Sequence, residues 1–416
     1  MSGRSLLLVA QLAPPLQITA AQRVAGLVKF LGRLGLEVAV LTSAVSGEGP
    51  VEGASRVART RDLLASPLNW RRGQLEALAG GGAGYSDRSP VERIIVPDVA
   101  LASWLPFALP RALALGARHR FDCVLTTSPP QSTHLIGLAL RRRGLPWIAE
   151  LRDGWTFDPP RAPWPTGLQR RIDEGLERRV ARGASALVGV TRPITEDLAR
   201  RFGGRAETVT NAFDPDERPT EELAAGLVGT DRFSLVHTGR MSVVGRDARP
   251  LLAAIARLRA EKPRLGERFE LVLAGAVTNA EEAALRVCAP DGILRLLGAV
   301  DRPRALALQR TADALIVLAH GVSIRSVATG KLFEYLAAGR PILVLGDETE
   351  AARIVAETGT GFAVPASDVD AIAAALCRLE RGVNLPVRDD VAVARYAYPA
   401  VASRLAELVE EVVHAP

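Results

Sequence analysis

Residues Ser5–Leu41 read SLLLVAQLAPPLQITAAQRVAGLVKFLGRLGLEVAVL. The apolar run Leu6–Ala10 has the length of a buried strand, and Pro14-Pro15 ends it, because a proline nitrogen has no N–H to give to a ladder. Apolar side chains then recur at helical spacing from about Ala20 to Leu34, and Gly35 stands where a helix C-cap turns. Val38–Leu41 is a second buried run. Strand, helix and strand in this order form a βαβ unit, the signature of a parallel sheet.

The same rhythm runs outward from this unit. Strands are expected at Arg93–Pro97, Cys123–Thr126, Trp147–Glu150, Ala186–Val190 and Thr208–Thr210, and helices at Pro106–Ala117, Ser132–Arg142, Leu168–Arg182 and Ile194–Arg201. Ser43–Ser89 interrupts it. This stretch is rich in Gly, Ser and Arg, holds Gly80-Gly81-Gly82, and reads as a long surface excursion in which Asn69-Trp70-Arg71-Arg72 mixes an aromatic with cations. Between Asp214 and Thr230 the chain turns polar, with Pro215, Pro219 and several Glu, and a domain junction is expected there. A second βα series starts at Phe233–His237 and continues through Leu271–Ala274, Leu294–Leu297, Ala314–Val317, Ile342–Leu345 and Phe362–Val364. Helices follow at Val369–Leu379 and about Ala400–His414. The expected organisation is an α/β chain of two tandem Rossmann-like doubly wound domains, 1–215 and 216–395, with a C-terminal helix in 396–416 packing back toward the first. Such a pair places a ligand at the carboxyl ends of the strands, in an interdomain cleft.

The totals agree with that plan and exclude several classes. A chain of 416 residues with 48% hydrophobic content is long enough for two cores. Net charge is +6, which favours acidic partners such as phosphorylated ligands or anionic lipid headgroups. No Lys/Arg run is interleaved with aromatics, so nucleic acid is not expected. Cys123, Cys288 and Cys377 are far apart and odd in number, which fits neither a disulfide framework nor a zinc site. With no spanning apolar run and no cleavage-site pattern at the N-terminus, a cytoplasmic protein is expected.

Chemistry concentrates in Ser323–Gly346, SIRSVATGKLFEYLAAGRPILVLG. A loop with Ser326, Thr329 and Gly330 opens a helix on Lys331, and Gly339 ends it before a buried strand. Lys331 is one of only three lysines in a chain that otherwise uses arginine. A helix N-terminus attracts phosphate, and a cation in its first turn adds to the pull. Glu334 shares a face with Lys331, and a carboxylate there can accept hydrogen bonds from a sugar diol. The pattern suggests a nucleotide, with diphosphate at the loop and ribose at the Glu.

With the halves read this way, the chain resembles the GT-B glycosyltransferases of the bacterial family 4 type, along nearly its whole length. Gly330-Lys331-Leu332-Phe333-Glu334-Tyr335-Leu336-Ala337-Ala338-Gly339 looks like the donor-binding segment, and His237-Thr238-Gly239-Arg240 like the glycine–arginine turn after that domain's first strand. In the first half Thr127-Ser128-Pro129-Pro130 through His134, Pro146-Trp147 and Arg152-Asp153-Gly154-Trp155 resemble one bacterial subgroup, and Asn211-Ala212-Phe213-Asp214 resembles the family's junction segment. The resemblance implies transfer of a hexose-type unit from a nucleotide-sugar donor to a hydroxyl acceptor (a glycan, a lipid-linked sugar or a small molecule) in bacterial glycan or polysaccharide synthesis. It further implies retention of anomeric configuration. Arg240 and Lys331 would neutralise the departing diphosphate, with Gly239, Ser326, Thr329 and Gly330 shaping the donor loop and Glu334 on the ribose. These cations would do a metal's work, so no metal or other cofactor is expected.

Three positions depart from the family pattern. Ser326 stands where a second Glu is usual. Gly245 stands where a Lys is usual, with Arg246 next to it. The first loop, Pro14 to Ala20, has no glycine. Two first-half residues remain candidates: Asp153 could accept the acceptor hydroxyl's proton, or pair with Arg152; His134 could orient a substrate, or pack locally. Ser326 and the glycine-free loop also suit a binding subunit that holds a nucleotide or glycan without turnover. A nucleotide-sugar epimerase or hydrolase is the enzymatic alternative. A dinucleotide-dependent oxidoreductase lacks its Gly-x-Gly-x-x-Gly turn. The net charge and the Trp70–Arg72 segment leave room for peripheral contact at the inner membrane face.

Overall fold

The computed structural model describes residues 3–63, 95–158, 164–240, 246–318 and 326–415. Two compact units result: residues 1–212 together with 398–416, and residues 213–397.

The first unit is built on a seven-stranded sheet in the order β3-β2-β1-β4-β5-β6-β7. Its strands are β1 Ser5–Val9, β2 Glu37–Ser43, β3 Ala54–Thr60, β4 Cys123–Ser128, β5 Trp147–Leu151, β6 Ala186–Gly189 and β7 Ala206–Thr208. Every pairing is parallel. Alternate residues of each central strand feed opposite faces. Leu6, Leu8, Val38 and Val40 pack under the helices Thr19–Arg33 and Tyr398–His414, while Leu7, Val9, Ala39 and Leu41 pack under Leu105–Arg118 and His134–Arg141. Burial of both faces is why these strands read as continuous apolar runs. The last helix is seated on the first by shape. The Tyr398 ring lies on the bare backbone of Gly26, where a Cβ would fall 2.1 Å from its Cζ, and stacks on Phe30 at 5.9 Å.

The second unit carries a six-stranded parallel sheet, β10-β9-β8-β11-β12-β13. Its strands are β8 Phe233–Thr238, β9 Phe269–Ala274, β10 Leu294–Gly298, β11 Ala314–Leu318, β12 Ile342–Leu345 and β13 Gly361–Val364. Both sheets run outward from a central strand and then return beside it, at β1/β4 and at β8/β11. The carboxyl ends of strands at such a reversal are where open α/β sheets leave a crevice.

Two expectations fail. Ser43–Ser89 is not wholly an excursion, because Ala54–Thr60 adds a strand beside β2. It is an edge strand whose sequence, ASRVART, mixes small side chains with two arginines, so no apolar run announced it. Residues 64–94, including the Trp70–Arg72 and Gly80–Gly82 segments, lie outside the described residues. Of the strand expected at Arg93–Pro97, the described Ile95–Pro97 form a bend instead. The chain is drawn out of the sheet there because buried Asp98 accepts from the Ser132 amide and hydroxyl at 2.8 and 2.6 Å, fixing the entry to the Ala100–Ser103 helix.

The first unit also contains an ion pair invisible to pattern reading. Arg23 and Glu150 are both buried, joined by Nη2 to Oε1 at 2.6 Å and Nε to Oε2 at 3.1 Å. Thr127 donates to Oε2 at 2.6 Å, and Arg23 also donates to the carbonyls of Thr210 (2.6 Å) and Val209 (2.9 Å). Burial opposes both charges. The mutual attraction nevertheless holds the Glu150 carboxyl below its usual range and raises Arg23 further. Arg23 therefore ties the first helix, the end of β5 and the Val209–Asn211 segment together. Removing one partner leaves the other charged and buried, so Arg23→Met is expected to cost about 3–5 kcal/mol. In calorimetry this appears as a melting midpoint lower by about 6–20 °C, whereas Arg23→Met with Glu150→Leu loses less. A midpoint unchanged by Arg23→Met would contradict the assignment.

Candidate functional site

In the second unit the candidate residues meet at the β8/β11 reversal. β8 ends at Thr238, and Gly239 follows with φ +112°, a left-handed conformation that side chains rarely adopt. The Lys331 side chain crosses directly over it: a Cβ on Gly239 would sit 1.7 Å from Lys331 Cε and 2.0 Å from Nζ. On the other side a Cβ on Gly275 would meet the Gly239 carbonyl at 2.0 Å. The helix Gly330–Ala338 presents Leu332, Phe333, Tyr335 and Leu336 to the core and ends on Gly339 in the left-handed region. The buried Tyr335 hydroxyl accepts from the Thr238 amide at 2.8 Å, which pins the glycine turn to this helix. Thr329 is the N-cap but makes no side-chain capping bond; its carbonyl takes the Leu332 amide at 3.0 Å, and the Gly330 and Lys331 amides are left open.

Arg240 follows the glycine, and the partly buried Arg246 donates to its carbonyl at 3.2 Å. Among the described residues none of Lys331, Arg240 and Arg246 forms a salt bridge with a carboxylate. Burial, then the Arg246 charge, lowers the Lys331 ammonium to about 7, with Glu334 pulling the other way. Burial likewise lowers Arg246 to about 10. His237, at the end of β8, donates from Nδ1 to the Ile316 carbonyl (2.9 Å), and burial and Lys331 push it down to about 3. The site is therefore an anion-seeking cluster at an open helix N-terminus.

One turn along, Glu334 is held rather than loose. Arg302 Nη1 donates to Oε1 at 2.5 Å and Gln309 Nε2 to Oε2 at 3.1 Å, while Gln309 also donates to Thr238 Oγ1 at 3.0 Å. Arg302 is itself gripped by Glu217, with Nε and Nη2 donating at 2.7 and 2.6 Å. Each Glu334 oxygen keeps a lone pair for a further donor. Arg302, Gln309 and Glu217 escaped the sequence reading. Arg302 is one arginine among many, and only Asp301 before it, which caps the Arg302–Thr311 helix, marks the spot. Ser326 is buried just before the loop that leads to Thr329; Gly245 lies outside the described residues.

In the first unit His134 opens its helix fully buried. Its Nδ1 lies 2.8 Å from Thr126 Oγ1, which accepts from Trp147 Nε1 at 2.8 Å, and its ring packs on Trp155 with centroids 6.1 Å apart. Burial lowers it to about 3, so it is neutral. The loop after β5 is clamped at both ends. Arg152 donates to the Ser128 and Pro129 carbonyls at 2.9 and 2.8 Å, and Trp155 Nε1 to buried Asp173 at 2.5 Å. Gly154 has no room for a side chain, since a Cβ would fall 1.8 Å from the Phe157 carbonyl. Asp153 sits inside this clamp. Its partly buried carboxyl makes no hydrogen bond among the described residues, and burial raises it above the usual range against the pull of Arg152. A carboxylate so placed is suited to accept a proton.

Comparison with known proteins gives a consistent picture. Residues 19–212 match the family model described as glycosyl transferase 4-like domain, and residues 232–381 that of glycosyl transferases group 1. The phosphatidyl-myo-inositol mannosyltransferase of Mycolicibacterium smegmatis is 28% identical over 304 residues, 66% of this chain and 76% of the relative. Sucrose-phosphate synthase from Thermosynechococcus elongatus superposes with a TM-score of 0.70 at 17% identity, covering 99% of this chain and 100% of that one. Anabaena Alr3699/HepE in complex with UDP does so with a TM-score of 0.62 at 15% identity, covering 98% and 100%. At such identities the superpositions show the fold, which is GT-B.

Two outcomes follow from this geometry. Gly239→Ala forces a methyl into Lys331 and is expected to weaken pyrophosphate binding at least about tenfold in calorimetric titration; unchanged affinity would remove Lys331's seat from the account. His134 stays neutral in the fold down to about 3, whereas unfolded it protonates near 6.5. The unfolded state then binds more protons in that window, so stability falls as pH drops from 6.5 toward 3. In urea titrations His134→Gln should flatten this dependence by up to about 1.4 kcal/mol per pH unit.

Proposed function

The chain belongs to the glycosyl transferases, 4-like in its first half and group 1 in its second, and from that premise we propose how it works. It is a nucleotide-sugar-dependent transferase whose donor diphosphate is held by Lys331, Arg240, Arg246 and the open amides of the Gly330–Ala338 helix. The observation that carries this reading is the cation cluster over Gly239, which has no carboxylate in salt-bridge contact among the described residues. As the glycosidic bond to the diphosphate breaks, negative charge accumulates on the leaving oxygens. Preorganised cations in a partly dehydrated site stabilise that charge without reorganising, often the largest contribution to transfer catalysis. The UDP named with the Anabaena neighbour supports a nucleoside diphosphate as the group recognised.

Glu334 takes the ribose hydroxyls. Arg302 and Gln309 keep it aimed, each on its own oxygen. On the acceptor side we assign the hydroxyl's proton to Asp153, whose carboxyl burial raises above its usual range. His134 acts by positioning: it packs on Trp155, which with Arg152 fixes the Asp153 loop. The family pattern supports a hexose-type sugar, retention of configuration, a metal-free mechanism and a role in glycan or polysaccharide synthesis. The lipid named in the mycobacterial relative supports a lipid-linked acceptor, and the net charge of +6 supports work at the inner face of a membrane. Among the described residues no helix is long and apolar enough to cross one.

Buried Ser326, in place of the usual second carboxylate, favours one other reading, a subunit that binds a nucleotide without turnover. A thermal-shift panel of UDP, GDP and TDP followed by a nucleotide-release assay with the matching sugar nucleotide separates the two. Stabilisation with acceptor-dependent release supports transfer, and stabilisation without release from a broad acceptor panel supports the binding subunit. If no nucleotide stabilises the protein, both readings fail.

Lys331→Ala is expected to lower kcat/KM by about 10²–10³, with the fold kept by circular dichroism; unchanged turnover would contradict its role. Because Lys331 sits near 7 without ligand, diphosphate binding at pH 8 must restore its proton, and affinity should fall as pH rises above 7. Titration calorimetry in buffers of different ionisation enthalpy should register uptake of about 0.9 proton at pH 8, abolished in Lys331→Met. Zero uptake in the native protein would refute the assignment.

A further inference from the structure

The helix Gly167–Gly183 is inverted relative to an ordinary surface helix. Its inward stripe carries two buried acids, Asp173 and Glu177, alongside Gln169 and Val180. Asp173 accepts from the indoles of Trp155 and Trp164, and Glu177 binds Arg201 and Thr156. Those partners satisfy the acids, so the inner face needs little apolar area. The outward stripe does the opposite. Leu168 and Ile172, one turn apart, are 68% and 46% exposed. Arg171, Arg178, Arg179 and Arg182 lie on the same stripe, all exposed. None of these four makes an ion pair among the described residues. Glu174 lies at the edge and is engaged by Arg170 at 2.7 Å. No acid stands on the stripe itself, and Gly175 leaves its middle flat.

We propose that this face docks on an anionic lipid surface. Arginines outside salt bridges gain little from water-exposed positions, yet each is attracted to a negatively charged headgroup layer. Nucleic acid would use the arginines alone. Leu168 and Ile172 are the discriminating feature: at the end of a helix lying in the interface they enter the headgroup–acyl boundary, while the arginines stay among phosphates. From Leu168 to Arg182 the stripe runs about 21 Å at the rise of an α-helix, long enough to lie across several headgroups. The inference is independent of the donor site, because no residue of the stripe belongs to it.

The test is co-sedimentation of the full chain with phosphatidylcholine vesicles, with and without phosphatidylglycerol. The native protein is expected to sediment with the anionic vesicles and not with phosphatidylcholine alone, and high salt should release it. Gln at positions 171, 178, 179 and 182 together should weaken binding at least about tenfold. Leu168→Ser with Ile172→Ser should weaken it several-fold and leave the salt dependence in place. Both variants alter exposed side chains, and an unchanged thermal midpoint establishes that they fold. The proposal is overturned if the native protein ignores anionic vesicles, if the Arg→Gln variant binds them equally, or if the Leu168/Ile172 variant binds them unchanged.

Discussion

The Lys331 side chain lies across the backbone of Gly239, so any side chain there would have to displace the end of the lysine as well as adopt a left-handed φ of +112°. This contact sets the second unit's site. It requires the left-handed turn after β8, which the Tyr335 hydroxyl fixes through the Thr238 amide. It also brings the first turn of the Gly330–Ala338 helix against that turn, where the Arg246 and Arg240 charges act on the lysine. The lysine is costly there. Burial and like charges together bring it to about 7, a cost that an incoming diphosphate would relieve on the proposed reading. A buried cation whose charge awaits its ligand is a common mark of a functional site.

The buried pair Arg23–Glu150 shows the contrasting case. There two charges are taken out of water and fully compensated, by each other, by Thr127 and by two carbonyls. Nothing is left for a ligand, and its part is to fix the end of β5 and the Val209–Asn211 segment. The loop that follows β5 shows both habits within four residues. Arg152, Gly154 and Trp155 are consumed by holding the backbone, which leaves the Asp153 carboxyl as the group without a hydrogen bond among the described residues. Comparing compensated with uncompensated charge thus separates scaffold from candidate chemistry without reference to any relative.

Much of this was legible in the sequence. Parallel strands buried on both faces must be continuous apolar runs, so both sheets and most helix limits could be read from Leu6–Ala10, Leu271–Ala274 or Ile342–Leu345 directly. The helix that carries Lys331 and Glu334 was legible too, because a loop with Thr329 and Gly330 precedes it and Gly339 ends it. What was missed lacks a local signature. β3 is an edge strand of small and charged residues. Arg302 reaches Glu334, and Arg23 reaches Glu150, from distant parts of the chain, so only the fold makes them partners. His134 resembled a site residue from its place after a proline turn, yet the structure buries it among tryptophans; a ring's depth is not written in its neighbours along the chain.

The most direct measurement of the central claim is a crystal structure of the full chain with the nucleoside diphosphate that best stabilises it. The account requires a diphosphate oxygen about 3 Å from Lys331 Nζ and from a first-turn amide of the Gly330–Ala338 helix, with ribose hydroxyls on Glu334 while Arg302 keeps its hold on the same carboxylate. A nucleotide bound elsewhere, or bound with Lys331 still lying over Gly239 without a phosphate partner, would contradict it.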